Sequence, residues 1–279
     1  MKNLFDKVSF ECSKQVTVSY STSFSMAVKM LSKDIQDDIH AIYGFVRFAD
    51  EIVDTFHDFE KEILLKEFEN ELKLSLERKI SLNPILNSFQ FVVNKYGIEY
   101  ELIDAFMNSM KADLYKQEYS TTEEINEYIY GSADVVGLMC LKVFVDGNNE
   151  IYKELKAPAM RLGSAFQKVN FLRDLKADSE ELNRIYFPQL VGAPLEEGNK
   201  ASIIKEIQED FDAAYLGIKN LPKSAKFGVY TAYKYYNKLF LKIIKSDIET
   251  IKSSRIRVSN PMKFALLAKS YLDYKIKII

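Results

Sequence analysis

A ladder of polar residues in the segment AIYGFVRFADEIVDTF, residues 41–56, is the first place where the chain could carry chemistry. This first ladder consists of Tyr43, Arg47, Asp50 and Asp54, at steps of four, three and four residues. A helix would place all four within roughly 60° of one another. Two carboxylates one turn apart suit a hard cation, because magnesium usually takes one or two carboxylates together with phosphate oxygens and water. Alone, the pattern also fits a solvated acidic face in which Arg47 pairs with Asp50 or Glu51.

A second ladder follows in RLGSAFQKVNFLRDLKADSEELNRIYFP, residues 161–188. It consists of Gln167, Asn170, Asp174 and Asp178, at steps of three, four and four residues. On a helix these four lie within an arc of roughly 80°. The residues around both ladders are mostly apolar, and charges in such surroundings must be paired or bind a metal ion. If the two ladders face each other, they enclose an acidic cavity that needs cations. A solvated acidic face could explain one ladder, but it does not explain two ladders embedded in apolar helices.

Two arginines belong to this pattern. Arg47 and Arg173 each lie within one helical turn of a carboxylate. A guanidinium can contact diphosphate oxygens through two parallel hydrogen bonds, which a lysine does less specifically. The ladders and their arginines together predict a site for a magnesium-bound diphosphate.

The ladders must lie on helices, and the pattern of apolar residues predicts helices through the rest of the chain as well. Apolar residues recur at three- and four-residue steps through most of the sequence, with no comparable run of strict alternation. None of the breaks between these runs has the composition of an interdomain linker. The sequence predicts an all-α fold, a single-domain helical bundle over residues 1–279. The predicted helices span residues 34–56, 61–76, 101–116, 125–145, 151–176, 202–216, 227–251 and 262–276.

Composition excludes several other classes of protein. The net charge is -2, without the basic surplus that a nucleic-acid binder needs to neutralise phosphates. Cys12 and Cys140 are far apart, which argues against a disulfide framework and a structural zinc site and fits a reducing cytoplasm. No apolar run has the length of a signal peptide or a membrane span. The segment YLDYKIKII, residues 271–279, mixes lysine with apolar residues and could lie at a membrane interface, although a helix packed on the core explains it as well.

Several motifs together resemble the squalene/phytoene synthase family. They are YSTSF at 20–24, Y-x-x-x-R-x-x-D-E-I-V-D at 43–54, Q-x-x-N-x-x-R-D-x-x-x-D at 167–178, MKADLYKQEYSTTEEINEYIYGSADVVGLM at 110–139 and RIYFP at 184–188. They span most of the chain in the family's order, and the resemblance is closest to a bacterial phytoene synthase. It implies an isoprenoid synthase bundle with a central active-site cavity.

The resemblance also implies roles for individual residues. The two aspartate motifs of the family hold magnesium, with manganese as an alternative ion, and this carries over to Asp50, Asp54, Asn170 and Asp174, with Asp178 as a support or further ligand. Tyr130 resembles a family tyrosine near the reacting carbons, where it would stabilise a carbocation or relay a proton; without the resemblance it would be an ordinary core tyrosine. The implied catalytic residues are Tyr130, Arg47, Arg173, Asp50, Asp54 and Asp174. The implied substrate-binding residues are Ser21, Ser23, Tyr43, Arg47, Gln167, Arg173 and Tyr235.

The activity implied is head-to-head condensation of two geranylgeranyl diphosphates, through a cyclopropyl diphosphate, to phytoene, as in carotenoid biosynthesis. Squalene or dehydrosqualene synthesis from farnesyl diphosphate is the alternative, and a non-catalytic helical binding protein on the same fold is a second one. A phytoene synthase would need no NADPH. A Rossmann-type nicotinamide site is not supported, because the sequence has no G-x-G-x-x-G motif after a predicted strand. The expected protein is a cytoplasmic monomer or weak homo-oligomer, with peripheral membrane contact as an option.

The sequence departs from the family at two positions. Asp134 and Asn183 stand where many relatives have glycine. Neither change removes a predicted ligand, but Asp134 adds a charge one helical turn from Tyr130.

Overall fold

The computed structural model of the protein describes residues 1–180, 184–276 and 279. Within these residues the regular structure is helical, apart from one isolated parallel bridge between Glu118 and Ile185. The predicted all-α, single-domain fold class is confirmed. The helices are α1 (Lys2–Tyr20), α2 (Thr22–Val28), α3 (Lys33–Asp54), α4 (Lys61–Arg78), α5 (Pro84–Tyr96), α6 (Tyr100–Ala112), α7 (Thr122–Ile129), α8 (Val135–Phe144), α9 (Asn149–Glu180), α10 (Glu197–Asn220), α11 (Lys223–Lys245), α12 (Ile248–Ser253) and α13 (Asn260–Lys275), with a π-helical segment Tyr130–Asp134 before α8 and a short 3₁₀ turn Pro188–Leu190.

Helix α3 carries the first ladder on a face next to the core. Its apolar stripe is buried and includes Phe45, whose side chain is 0% exposed. The Phe45 ring stacks on Phe89 of α5 at 4.0 Å and meets Phe106 of α6 edge-on at 5.3 Å. These contacts fix the orientation of α3 and therefore the direction in which its polar face points.

We expect the substitution Phe45→Ala to lower the free energy of unfolding by about 3–5 kcal/mol, because it removes a large buried ring and leaves a cavity. Urea denaturation would measure the change. The control is Phe48→Ala on the same helix, whose side chain is exposed and whose loss should change stability by only about 0.5 kcal/mol. Equal effects of the two substitutions would contradict the packing described above.

Helix α9 carries the second ladder and continues through Pro158 without ending. The neighbouring helix α10 lies directly against this proline at Gly217, where an added Cβ would come within 2.4 Å of the Pro158 Cβ. Only glycine allows this close approach. The N-terminal half of α9 thus packs beside α10, while its C-terminal half carries the polar ladder.

The structure corrects several predicted helix boundaries. The predicted helix 125–145 is divided by the π-helical segment, and the predicted helix 227–251 ends at Lys245 and restarts at Ile248. Helices α1, α2 and α5 were not predicted. The buried residues of α1 are Ser9, Ser13 and Thr17, so an apolar period cannot reveal it.

Close packing explains why small polar residues line the inner face of α1. Ser13 faces Gly44 of α3, where an added Cβ would lie 2.8 Å from the Ser13 Oγ. The same hydroxyl is 2.7 Å from the Ser88 Oγ. Larger apolar side chains would not fit between these helices.

None of the described helices combines the length and the apolar character that crossing a bilayer requires. Helix α13 packs against α11, where Tyr230 donates a hydrogen bond to Asp273 at 2.9 Å. Residues 277 and 278 of the predicted interfacial segment lie outside the described residues.

Candidate active site

The first ladder lies on the C-terminal half of α3, and its four residues are half-buried. The Arg47 guanidinium contacts both Asp50 and Glu51 and lies over the Tyr20 ring, 4.5 Å from its centroid. The helical ion pairs considered from the sequence are therefore formed. They place a cation between carboxylates at the edge of the core rather than on an open, solvated face.

The second ladder lies on the C-terminal half of α9 and is also half-buried. Two arginines bracket Asp174. Arg173 Nε donates to Asp174 Oδ1 at 3.0 Å, and Arg255 Nε, from the loop after α12, lies 2.7 Å from the same oxygen. Asp174 is thus the most heavily paired carboxylate of this ladder among the described residues.

Arg184 joins the ends of the two ladders. Its backbone N–H donates to the Asp178 carbonyl at 2.7 Å, and its Nη1 donates to Asp54 Oδ1 at 2.8 Å. The ladders lie 113 or more residues apart in sequence, since the first ends at 54 and the second begins at 167. The fold nevertheless brings the Asp54 carboxylate and the backbone of Asp178 to the same arginine.

The pKa values of carboxyl groups in the two ladders are raised, because these groups are buried and lie near one another. Burial raises the pKa of Asp50 to about 7, and repulsion by Asp54 adds to the shift. Burial also raises the pKa of Asp178 to about 7, with further repulsion from Asp174 on the same helix and Asp54 on the other. Carboxylates that repel one another in a partly desolvated space are stabilised when a cation binds between them.

An apolar cavity of about 290 Å³ extends from the ladders into the core. Its wall includes Ile39 and Ile42 of α3 and Leu155 and Leu162 of α9, with further residues from α2, α8, α10 and α11. Tyr43 and Gln167, the first residues of the two ladders, also line it. The apolar cavity therefore reaches the first residue of each ladder.

Two predicted substrate-binding serines lie on α2, beside the first ladder. Ser21 caps this helix, accepting a hydrogen bond from the Phe24 N–H at 3.2 Å, and the Phe24 ring stacks on Tyr43 at 4.8 Å. Burial raises the pKa of Tyr43 to about 12, against opposing effects from Arg47 and from a hydrogen bond with Ser21. Ser23 is half-buried on the same helix.

Tyr236 has a closer connection to the second ladder than the predicted Tyr235. Its ring stacks on Phe166 at 3.9 Å, and a hydrogen bond with Asn170 opposes the rise in its pKa that burial causes. Tyr235 meets Tyr236 edge-on at 5.6 Å, with the Lys263 amine 5.5 Å from its ring centroid. The role predicted for Tyr235 stays a prediction, and the structure adds its neighbour Tyr236 as a residue next to the second ladder.

Tyr130 begins the π-helical segment and is half-buried. Ser132 and Ala133 of this segment line the cavity, whereas Tyr130 is not among its described lining residues. The role predicted for Tyr130 therefore stays a prediction. Asp134, at the end of the segment, accepts a hydrogen bond from Ser164 at 2.8 Å, and burial raises its pKa to about 7.

The oxygen donors of the ladders fit a magnesium–diphosphate complex better than a metal held by protein alone. No cluster of three or more His, Cys, Asp or Glu able to hold an ion occurs in the described part of the chain. Magnesium needs only one or two carboxylates when phosphate oxygens and water complete its shell. Two buried polar atoms without a hydrogen-bond partner in residues 1–180, 184–276 and 279, Asn170 Oδ1 and Arg47 Nε, could serve a metal ion and an anion respectively.

Comparison with known families decides the assignment. The family model described as squalene/phytoene synthase matches residues 17–193, a range that contains both ladders and Arg184. The chain belongs to the squalene/phytoene synthase family. This is a family of head-to-head prenyltransferases, which places the chain among the transferases of isoprenoid chemistry.

Individual members of the squalene/phytoene synthase family are similar to the chain at low identity. It is 29% identical over 203 residues to the 4,4'-diapophytoene synthase of Staphylococcus haemolyticus, covering 70% of this chain and 66% of that protein. It is 27% identical over 292 residues to the 15-cis-phytoene synthase of Synechocystis, covering 94% and 84%. The chain thus spans about two thirds of the first relative's length and most of the second's.

Solved structures show the isoprenoid synthase fold for this member of the squalene/phytoene synthase family. A dehydrosqualene synthase in complex with ligand superimposes with a TM-score of 0.80 at 20% identity, covering 97% of this chain and 98% of that one. The squalene synthase HpnC from Alicyclobacillus acidocaldarius gives a TM-score of 0.75 at 21% identity, covering 86% and 94%.

Several residues at the site of this squalene/phytoene synthase family member were not predicted from its sequence. Arg184 had a signal, because it begins the quoted RIYFP motif. Asp113, whose backbone carbonyl accepts a hydrogen bond from Arg184 Nη2 at 2.8 Å, had one as well, because it lies in the quoted motif at 110–139. Arg255 and Tyr236 are in none of these motifs, and each reaches the site through a contact made only in the folded chain. Asn183, the second departure noted in the sequence, lies outside the described residues.

Proposed function

We propose that the chain is a magnesium-dependent phytoene synthase, which condenses two geranylgeranyl diphosphates head to head through a cyclopropyl diphosphate and releases diphosphate. One observation carries the proposal: an apolar cavity is lined by both Tyr43 and Gln167, the first residues of the two ladders of oxygen ligands. This arrangement matches a substrate with a hydrocarbon tail and an anionic head.

The proposed roles of the polar residues follow from their contacts. Asp50, Asp54, Asn170, Asp174 and Asp178 would hold magnesium, which when bound neutralises the charge that develops on a leaving diphosphate. Each arginine of the ladders, Arg47 and Arg173, now pairs with its own helix's carboxylates. With Asp50 and Asp174 as ligands of a bound magnesium, Arg47 would keep Glu51 as a partner, and both guanidinium groups would have N–H groups available for diphosphate oxygens.

The apolar wall has a separate proposed role. Allylic diphosphate ionises to a carbocation, which water would capture, so the reacting carbons must lie in a space without water. Ile42, Val46 and Phe166 line the part of the cavity next to the ladders. They would exclude water there while the double bond of the second substrate attacks the cation.

The extent of the cavity along α9 bears on the length of the substrate tail. Its lining residues on this helix run from Leu155 to Gln167, 12 residues further on, which is about 18 Å along a helix axis at ~1.5 Å per residue. The similarity to a 15-cis-phytoene synthase over 94% of the chain supports the C20 substrate. The similarity to a 4,4'-diapophytoene synthase supports the runner-up, a C15 substrate.

Product identification tests this proposal. Purified protein would be incubated with magnesium and either geranylgeranyl or farnesyl diphosphate, with and without NADPH, and the extracted hydrocarbon identified. We expect a C40 product from geranylgeranyl diphosphate without any need for NADPH. A C30 product would transfer the assignment to the farnesyl-using alternative. No release of diphosphate from either substrate would favour the non-catalytic binding protein.

Substitution of Ala159 should change the preference for chain length. Ala159 lines the cavity on α9, 15 residues before Asp174, so Ala159→Phe would fill the part reached only by the longer tail. We expect the ratio of kcat/KM for geranylgeranyl over farnesyl diphosphate to fall by about tenfold or more. The control Ala159→Ser keeps a small side chain and should leave the ratio unchanged. A ratio that does not move in Ala159→Phe would show that the tail does not reach this depth.

A further inference from the structure

Arg184 is almost completely buried at the site, with a side chain only 6% exposed. It touches the first ladder through the hydrogen bond from Nη1 to Asp54 Oδ1 and the second through the hydrogen bond from its backbone N–H to the Asp178 carbonyl. Little of its surface remains to meet a ligand. Its positive charge is therefore directed at the protein, toward Asp54 and toward the buried Asp113, whose Oδ1 lies 3.9 Å from Nη1.

Other contacts hold the Arg184 guanidinium independently of Asp54. Nη2 donates to the backbone carbonyl of Asp113 at 2.8 Å, and Nη1 is 3.3 Å from the Tyr186 hydroxyl. Asp113 is itself held, because its Oδ2 accepts a hydrogen bond from Tyr128 at 2.9 Å. Since the guanidinium is rigid and planar, two outside contacts determine where its remaining N–H groups point.

The backbone that follows Arg184 is also held. Ile185 N–H donates to the Gln117 carbonyl at 2.8 Å, and Tyr119 N–H donates to the Ile185 carbonyl at 3.1 Å. The Tyr186 ring stacks on Phe171 at 4.0 Å. Arg184 thus extends from a fixed segment toward Asp54, which is the last residue of α3 and has a side chain that is 33% exposed.

We propose that Arg184 is a positioning residue that orients the Asp54 carboxylate for magnesium and does not itself bind diphosphate. This inference rests on the proposed function, because it takes Asp54 as a magnesium ligand. The physical reason is that a ligand held by a hydrogen bond in the binding orientation loses less freedom when the metal arrives. Substitution of such supporting residues typically weakens metal affinity by about 10- to 100-fold.

Thermal unfolding can measure magnesium binding without turnover. Wild type and Arg184→Lys would be titrated with magnesium at a fixed concentration of inorganic diphosphate, and the midpoint of the rise in Tm recorded. Lysine keeps the charge but lacks the forked geometry, so we expect its midpoint to rise about tenfold and that of Arg184→Gln about a hundredfold. At saturating magnesium, the KM for the prenyl diphosphate should stay within about twofold of wild type in Arg184→Lys.

Two results would overturn the inference. One is an unchanged magnesium midpoint in both Arg184 variants. The other is a normal midpoint with a raised KM, which would show that Arg184 contacts the diphosphate directly. A wild type that does not respond to magnesium with diphosphate would instead overturn the proposed function, and this inference with it.

A matched control and a milder variant keep the test clear of folding defects. Arg161→Lys changes another arginine paired with a buried carboxylate, Asp210 at 2.7 Å, and should leave the magnesium midpoint unchanged. Tyr186→Phe removes one outside contact of the guanidinium while keeping the stacked ring. If the Arg184 variants fail to fold, Tyr186→Phe should still raise the midpoint, by about two- to threefold, and an unchanged midpoint would count against the inference.

Discussion

Replacing Asp50 by asparagine should lower the rate of diphosphate release from the prenyl substrate by about a thousandfold, equivalent to about 4 kcal/mol of lost transition-state stabilisation. Asparagine keeps the shape of the side chain but removes the charge through which the first ladder would hold magnesium. Release of diphosphate under saturating substrate and magnesium would measure the loss. The matched control is Asp37→Asn, an exposed position on the same helix, which should retain wild-type turnover.

The same variant should not be less stable when metal is absent. Burial and Asp54 raise the pKa of Asp50 from its ordinary value near 3.8 to about 7, so the folded protein binds this proton more tightly than the unfolded chain. The contribution of Asp50 to the stability of the metal-free wild type is therefore lost as pH rises from about 4 to about 7 and stays absent above it. Because the Asp50 side chain is 33% exposed, solvent screens part of this effect.

Thermal unfolding at two pH values separates loss of chemistry from loss of fold. In metal-free protein at pH 8, Asp50→Asn should have a Tm equal to or above that of wild type, and the difference should shrink at pH 5. A variant that is inactive and clearly less stable at pH 8 would indicate a structural role for Asp50. Full activity in Asp50→Asn would remove the first ladder from the mechanism.

Replacing Asp174 by asparagine should reduce the rate of diphosphate release by about a hundredfold or more, because it removes both a proposed metal ligand and a partner of two arginines. The change removes a proposed magnesium ligand and leaves Arg173 and Arg255 without the carboxylate that they share. The freed guanidinium groups would still attract diphosphate, so we expect kcat to fall far more than substrate affinity. Steady-state kinetics at saturating magnesium would resolve kcat from KM.

An exposed aspartate provides the comparison for this second variant. Asp212 lies on α10, where it accepts a hydrogen bond from Gln208 at 2.9 Å, and Asp212→Asn should behave as wild type. Turnover in Asp174→Asn equal to that of Asp212→Asn would refute the assignment of the second ladder to metal binding. If both Asp50→Asn and Asp174→Asn kept full turnover, the proposal of magnesium-dependent chemistry between the ladders would fail.

Local periodicity was sufficient to predict the helices that carry the site, because α3 and α9 present their polar residues at helical steps against an apolar background. It failed for α1, where serine and threonine occupy the buried face. It also failed at Tyr130–Asp134, because an apolar pattern does not distinguish a π-helical turn from a continuous α-helix. These features depend on which helix packs against which.

Residue types and their spacing therefore determined the two ladders, the all-α class and, through the motifs, the squalene/phytoene synthase family. Only the tertiary structure decided that Arg184 connects the Asp54 carboxylate with the backbone of Asp178, and that Tyr43 and Gln167, one from each ladder, line the same apolar cavity. It also brought Arg255 to Asp174, 81 residues away. The physical reason is that helical spacing determines which side chains share a face, whereas contacts between distant helices follow from how the apolar faces pack together.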